Sequence, residues 1–384
     1  MGRKIIITGG NMTNKGAQAM TFIVADEMAK RYPEHQCVVL NSGRSYPSLE
    51  ERSRYRFEIL PPIQKSLPAF VRCLKDADAL IDISGYAFGS NWGAAHVLVH
   101  LLPIVLAVRK GIRVYVLPQS FGPFSFSGVL GRLCMRWMDR YLLQADMVCA
   151  REAEGLSELK QHFANAERAE LRYDIVLSNK GLDPCSIYKQ VPEFYSIEVR
   201  GKSAAVIPNS KNEKYGGREK TIACYRGFID SILKDDKEVY ILSHSGQDME
   251  LCRSLKEDYY PQEERVHLVE KELSCIEFDR EIRKFDYIVA SRFHAVVHAY
   301  RNSVPVIVLG WSEKYRTLTE LFGEEQFQFD IRKEIAASEI EKAVEHMSAG
   351  CSGESRRIRE RLAAVQERNL FDEIKISASE SLKE

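Results

Sequence analysis

The chain carries no net charge, since 54 basic residues balance 54 acidic ones, so nothing draws it toward nucleic acid or an anionic membrane surface. No two of its nine cysteines form a Cys-x-x-Cys pair, which argues against a zinc ribbon or a disulfide framework and suits a reducing compartment. It also lacks a long apolar run. The segment Met1 to Gly10 is too short in apolar residues for a signal peptide, and the stretch Val97 to Val108 is broken by His100 and Pro103, so it does not span a bilayer. A cytoplasmic chain without transmembrane segments is expected. Short-period repeats and low-complexity segments are missing as well, and 384 residues exceed what one small core organises.

What is present is an alternation of short apolar, β-branched runs with helical periodicity. Strands are expected at Lys4 to Thr8, Gln36 to Leu40, Phe57 to Leu60, Ala79 to Ile83, Val114 to Leu117 and Met147 to Ala150, the last of its half, with helices between them. Apolar periodicity lapses from Ser178 to Lys202, where Pro184 and Pro192 stand, and resumes at Ala204 with a second series of the same kind. The fold class is therefore α/β, with two Rossmann-like domains built on parallel sheets. The expected division is an N-terminal domain over 1–180, a crossover over 181–203, a C-terminal domain over 204–350, and a helical tail over 351–384. In that tail Arg356, Arg357, Arg359 and Arg361 read as a solvated face.

The segment Phe285 to Trp311 reads as strand, loop, helix and strand. A buried strand that opens directly onto a helix leaves unpaired N–H groups and the positive end of the helix dipole at one spot. Arg292 and His294 stand there. Arginine offers a planar fork for carboxylate or phosphate, and histidine passes protons near neutral pH. His298 lies one turn on, at the spacing of a metal pair, but no acidic residue accompanies it, so it reads as packing and no metal site is expected. Other strand-end loops add candidates. The loop Gly9 to Gly16 lacks the spaced glycine fingerprint, and Asn41 rather than an acid ends the second strand, which disfavours a nicotinamide cofactor. Asn14 and Lys15 suit sugar hydroxyls or an anion, Gln119 suits a hydroxylated ligand, and Arg151 ends a strand as Arg292 does. Asn209 and Lys211 form a polar, basic turn, and His244 sits in the next one.

Several of these stretches resemble one family. Asn14-Lys15-Gly16-Ala17, the Ala77 to Gly85 strand and turn, Leu117-Pro118-Gln119-Ser120-Phe121-Gly122-Pro123, Ala150-Arg151-Glu152, and Ser291-Arg292-Phe293-His294-Ala295 with Val304-Pro305 and Lys314 are similar to the polysaccharide pyruvyl transferases. The resemblance covers about residues 4 to 320. It implies two domains facing across a cleft in the manner of B-type glycosyltransferases, the N-terminal one on the acceptor side and the C-terminal one on the phosphoenolpyruvate side. It also implies transfer of pyruvate from phosphoenolpyruvate to a sugar of a cell-surface polysaccharide or its precursor as a ketal, with phosphate released. Phosphoenolpyruvate is then a co-substrate without further cofactor, and the partner is a saccharide acceptor, lipid-linked and nucleotide-linked forms included. Gly85-Tyr86 departs from the family's usual double glycine.

A small trianion needs several cations, and Arg151, Lys211, Arg292 and Lys314 are expected to supply them, with Asn209, Ser291 and Phe293 completing the binding set. His294 is the first choice for proton transfer and His244 the second. Two other readings stay open: a nucleotide-sugar glycosyltransferase, for which Glu313 or Glu320 would hold a ribose, and a non-catalytic sugar-binding protein.

Overall fold

Runs such as Ile5-Ile6-Ile7 and Val38-Val39-Leu40 are buried on both faces, which only a sheet covered by helices on both sides allows. In the computed structural model, which describes residues 3–43 and 46–376, the strands form two wholly parallel sheets. The first contains β1 (Lys4–Gly10), β2 (Gln36–Asn41), β3 (Glu58–Leu60), β4 (Ala77–Asp82), β5 (Arg113–Gln119), β6 (Met147–Ala150) and β7 (Glu170–Leu171). Their order is β3-β2-β1-β4-β5-β6-β7. The second contains β8 (Ser203–Ile207), β9 (Glu238–Leu242), β10 (Val266–Val269), β11 (Tyr287–Ala290), β12 (Val306–Gly310) and β13 (Gln328–Asp330), in the order β10-β9-β8-β11-β12-β13.

Each sheet anchors its own core. In the first, Ile6, Leu80 and Val116 meet the helix residues Phe70, Leu101 and Ile104. In the second, Val206, Ile241 and Val289 meet Tyr225, Phe228 and Met347. Strand order reverses at β1, which lies between β2 and β4, and again at β8, which lies between β9 and β11. At such a reversal the connecting helices leave to opposite faces and open a crevice beyond the carboxyl ends of the strands.

The chain divides into two compact units. One takes Met1–Thr13, Ala17–Pro192 and the segment from Arg368; the other takes Asn14–Gly16 and Glu193–Glu367. Three features depart from the sequence expectation. Met147–Ala150 is followed by a further strand, β7, too short and too exposed for a hydrophobic pattern to mark. No separate tail starts at residue 351: the helix Ala337–Val365 runs through that point and buries Ile340, Val344, Met347, Ile358 and Leu362 along one face. Arg356, Arg357, Arg359 and Arg361 stand on its exposed side. The following residues are tied to the first unit, where Tyr32 Oη donates to the Ile374 carbonyl (2.8 Å) and Tyr115 Oη to that of Lys375 (2.6 Å). Among the described residues no helix is long and apolar enough to cross a membrane.

Candidate functional site

The second unit's crevice opens between β8 and β11, and its frame is Ser291. The Ser291 carbonyl accepts from Asn209 Nδ2 and from Tyr315 Oη, both at 2.8 Å, and its Oγ accepts from Tyr225 Oη at 2.7 Å. Asn209 Oδ1 accepts from the Lys211 backbone N–H (3.1 Å). Ser291 and Asn209, expected to bind substrate, thus turn their polar atoms toward the scaffold: they fix the ends of β8, β11 and β12 against one another. Asn212, which the sequence did not single out, joins them through Nδ2 to Tyr225 Oη (3.1 Å).

Arg292 caps the helix Phe293–Arg301, and its fork is already occupied. Nε and Nη2 donate to the two carboxylate oxygens of Asp248 at 2.7 and 2.6 Å, while the Ser210 N–H and Oγ donate to the same carboxylate at 3.0 and 2.9 Å. Asp248 is fully buried. The edge expected to clasp a ligand therefore clasps the protein, which leaves the other edge, Nη1 and the remaining Nη2 hydrogen. Stripping one partner from such a buried pair costs about 3–5 kcal/mol, because the other charge is left uncompensated. Asp248 is a functional residue the sequence reading passed over; its signal was an acid at the close of the polar turn that ends β9.

Lys15 enters the same crevice from the N-terminal segment. Asn14 forms an antiparallel bridge with Ser245 and its Oδ1 accepts from the Gly16 N–H (3.1 Å), a local turn that starts the helix Lys15–Arg31. Gly16 lies against the His294 ring: a Cβ there would stand 2.3 Å from Cγ and Nδ1, so only glycine fits. Lys15, held between these two contacts, is 2% exposed, and its Nζ has no hydrogen-bond partner among the described residues. Burial lowers its pKa, opposed by Glu272 and Asp248.

His244, 3% exposed, packs edge-on against Phe278 (4.8 Å), and its Nε2 also lacks a partner. Burial, then the charges of Lys15 and the neighbouring histidines, hold it well below the usual imidazole pKa, so it is neutral. His294 is half-buried at the head of its helix, with its ring edge-on to Phe293 (5.4 Å). Phe293 in turn carries the Lys314 ammonium 5.2 Å from its ring centre, a cation–π contact that parks the lysine beside the crevice. Lys211 is exposed at the rim. His298 is a buried tie, with Nδ1 2.8 Å from Asp279 Oδ1. Although burial would raise the Asp279 pKa, this bond and Arg301 hold it well below the carboxylate range. Among the described residues no group of three or more metal-ligating side chains suits a metal ion.

Two candidates fall in the first unit and are committed there. Arg151 donates to Asp174 (3.0 Å), Glu152 (2.9 Å) and Ser120 Oγ. Its burial, which alone would lower its pKa, is more than offset by those two carboxylates. The strand-end arginine expected to face the donor is thus a buried cross-tie whose charge is neutralised at home. Gln119 is fully buried and donates to Asp82 Oδ1 (3.1 Å). Of the two acids considered for a ribose, Glu320 is exposed and pairs with Arg316 (3.3 Å), and the side chain of Glu313 lies outside the described residues.

No curated protein matches the sequence. Solved structures match the fold at low identity. S. aureus MnaA in a co-structure with UDP is 12% identical at TM-score 0.57, covering 94% of this chain and 91% of that one. The UDP-GlcNAc 2-epimerase from Neisseria meningitidis, bound to UDP-GlcNAc, is 10% identical at 0.57 and covers 95% and 96%. Phytolacca americana UGT2, complexed with UDP-2fluoro-glucose and pterostilbene, is 11% identical at 0.54 and covers 95% and 94%. These likenesses place the architecture with GT-B glycosyltransferases and epimerases. The sequence model of one family, polysaccharide pyruvyl transferase, matches residues 14–313. That span opens on Asn14 and Lys15 and takes in both the Asp248 turn and the Arg292–His294 loop, and by this match the chain belongs to the polysaccharide pyruvyl transferase family.

Proposed function

We propose that the protein moves the pyruvyl group of phosphoenolpyruvate onto two hydroxyls of a saccharide, within a cell-surface polysaccharide or its precursor, and that the donor binds in the β8–β11 crevice. The observation that carries this reading is a buried cation left without an acceptor. Lys15 Nζ has no hydrogen-bond partner among the described residues, and neither has His244 Nε2; a buried donor left unmatched costs about 1–3 kcal/mol. A compact oxyanion supplies the missing acceptors. Arg292 adds its outer edge, and Lys211 and Lys314 flank the rim.

The chemistry balances with the residues at hand. A proton added to the methylene carbon of phosphoenolpyruvate makes its neighbour electrophilic, one sugar hydroxyl adds there, phosphate leaves, and the second hydroxyl closes the ketal. Both hydroxyl protons depart: one replaces the proton delivered to carbon, and the other leaves on the phosphate. His294, seated two residues after Arg292 and held by Gly16, serves as the group that gives and takes these protons. The donor brings its own leaving group, so phosphoenolpyruvate acts as co-substrate without a further cofactor. A cytoplasmic location suits such a donor.

A second reading, a nucleotide-sugar transferase, draws on one feature. Trp311 and Tyr215 stack at 4.8 Å just past β12, and an aromatic pair there suits a nucleobase. The test is to supply phosphoenolpyruvate or UDP-sugars together with saccharide acceptors. Phosphate release that depends on both donor and acceptor is expected; UDP release in its place would establish the second reading, and neither would leave a binding protein.

A further inference from the structure

The first unit has its own crevice at the β1–β4 reversal, and its chemistry is the inverse of the one just described. Asp82 ends β4 fully buried. Its carboxylate takes four donors: Thr8 Oγ1 (2.8 Å) and Ser84 Oγ (2.9 Å) on one oxygen, the Ser84 N–H (3.2 Å) and Gln119 Nε2 (3.1 Å) on the other. Ser42 Oγ donates to the carbonyls of Gly9 and Gly10, both at 3.0 Å. The hydroxyl hydrogens of Thr8 and Ser42 are thus spent inward and their lone pairs remain. Both line a cavity of about 50 Å³ together with Asp82 and His100, and among the described residues no lysine or arginine lines it. Burial, then His96, push the His100 pKa down to about 4, so its imidazole is neutral and adds an acceptor nitrogen.

A wall rich in acceptors receives hydroxyl hydrogens. The volume sets the size of the guest. A water needs about 10–15 Å³ of such space, so the cavity takes a few waters or a hydroxyl-bearing carbon and not a whole sugar ring. From His100 a row of rings leads outward, to His96 at 4.6 Å and to Trp92 at 5.4 Å from His96. Trp92 is 45% exposed, and its upright neighbour Tyr86 (5.9 Å) braces it. Flat exposed rings beside a hydroxyl-seeking pocket match the two sides of a pyranose, apolar on its face and polar at its edge.

We propose that this crevice is a saccharide subsite: one hydroxyl-bearing carbon enters the cavity against Thr8, Ser42 and His100, and the adjoining ring or rings lie on His96 and Trp92. The proposal deepens the pyruvyl-transfer reading by locating its acceptor, and its test is independent of the donor. The methyl glycosides of glucose, galactose, mannose and N-acetylglucosamine are titrated into the protein without phosphoenolpyruvate, with calorimetry and ligand-observed NMR as readouts. At least one is expected to bind, and Trp92→Ala and His100→Phe each to weaken it about tenfold, with melting curves checking that both variants fold. Binding by none of the four, or equal binding to wild type and both variants, overturns the subsite. Phosphate release is measured separately. Glycoside binding lost in the variants while phosphoenolpyruvate is not consumed keeps the subsite and removes the pyruvyl reading. Phosphoenolpyruvate turnover with an acceptor KM unchanged in both variants does the reverse.

Discussion

The crevice between β1 and β4 and the crevice between β8 and β11 arise from one topological event, a reversal of strand order, yet their side chains are set up for opposite guests. In the first, Thr8, Ser84 and Gln119 spend their hydrogens on buried Asp82 and leave acceptors over. In the second, Asp248 engages Arg292 and Ser210, and among the described residues the Lys15 ammonium is left with its hydrogens unmatched. Topology decides where a ligand can sit. The imbalance between donors and acceptors after the protein has paired its own groups decides which ligand that is.

The largest effect belongs to the proton carrier. His294→Ala is expected to lower kcat about a hundredfold to ten-thousandfold while the donor Kd stays nearly constant, measured by phosphate release and calorimetry. Near-normal turnover in His294→Gln would sink the role and move the test to His244. Next comes the sharpest probe of the contrast. Lys15→Met should weaken phosphoenolpyruvate about tenfold to a hundredfold and leave glycoside binding untouched. Because it removes a buried, unmatched ammonium, it should also raise Tm. A variant that loses stability, or weakens both ligands alike, breaks the assignment of donors to one crevice.

Arg292→Lys is smaller. A lysine cannot hold both Asp248 oxygens, so stability should fall by about 1–3 kcal/mol in urea titrations, together with a raised KM for phosphoenolpyruvate. Unchanged values for both would show the fork to be dispensable. The smallest effect is a pH dependence. His244 has a folded pKa below its ordinary 6.5, so on acidification the unfolded chain takes up the proton first, and stability falls as pH drops below about 6.5. His244→Asn should flatten that slope between about pH 7.5 and about pH 5 in unfolding titrations; an unaltered slope would assign the loss to other groups.

The burial of β11 and β12 and the pairing of Arg292 with His294 in one loop were legible, because both follow from an apolar run meeting a helix start. Arg151 was not. It ends β6 as Arg292 ends the segment after β11, and only the positions of Glu152 and Asp174 in space separate a cross-tie from a ligand group. The hold of Asp248 on Arg292 joins residues 44 apart, a distance at which spacing carries no information. The burial of Lys15 was not legible either, since a lone lysine before a helix fits a solvated turn equally well. The final helix hid its buried stripe because charged residues fill the other faces.

Asn14, Lys15 and Gly16 belong by their contacts to the second unit, although the chain on either side of them belongs to the first. A gene fragment encoding only Glu193–Glu367 would omit the lysine that its own crevice lacks acceptors for, and would leave the His294 ring without the glycine that it lies against. The remaining fragment would carry that lysine with no crevice to fill. Exchange of whole units between relatives therefore succeeds only where the incoming partner tolerates these three residues, and in recombination, as in expression of separate parts, the two halves are inherited as one.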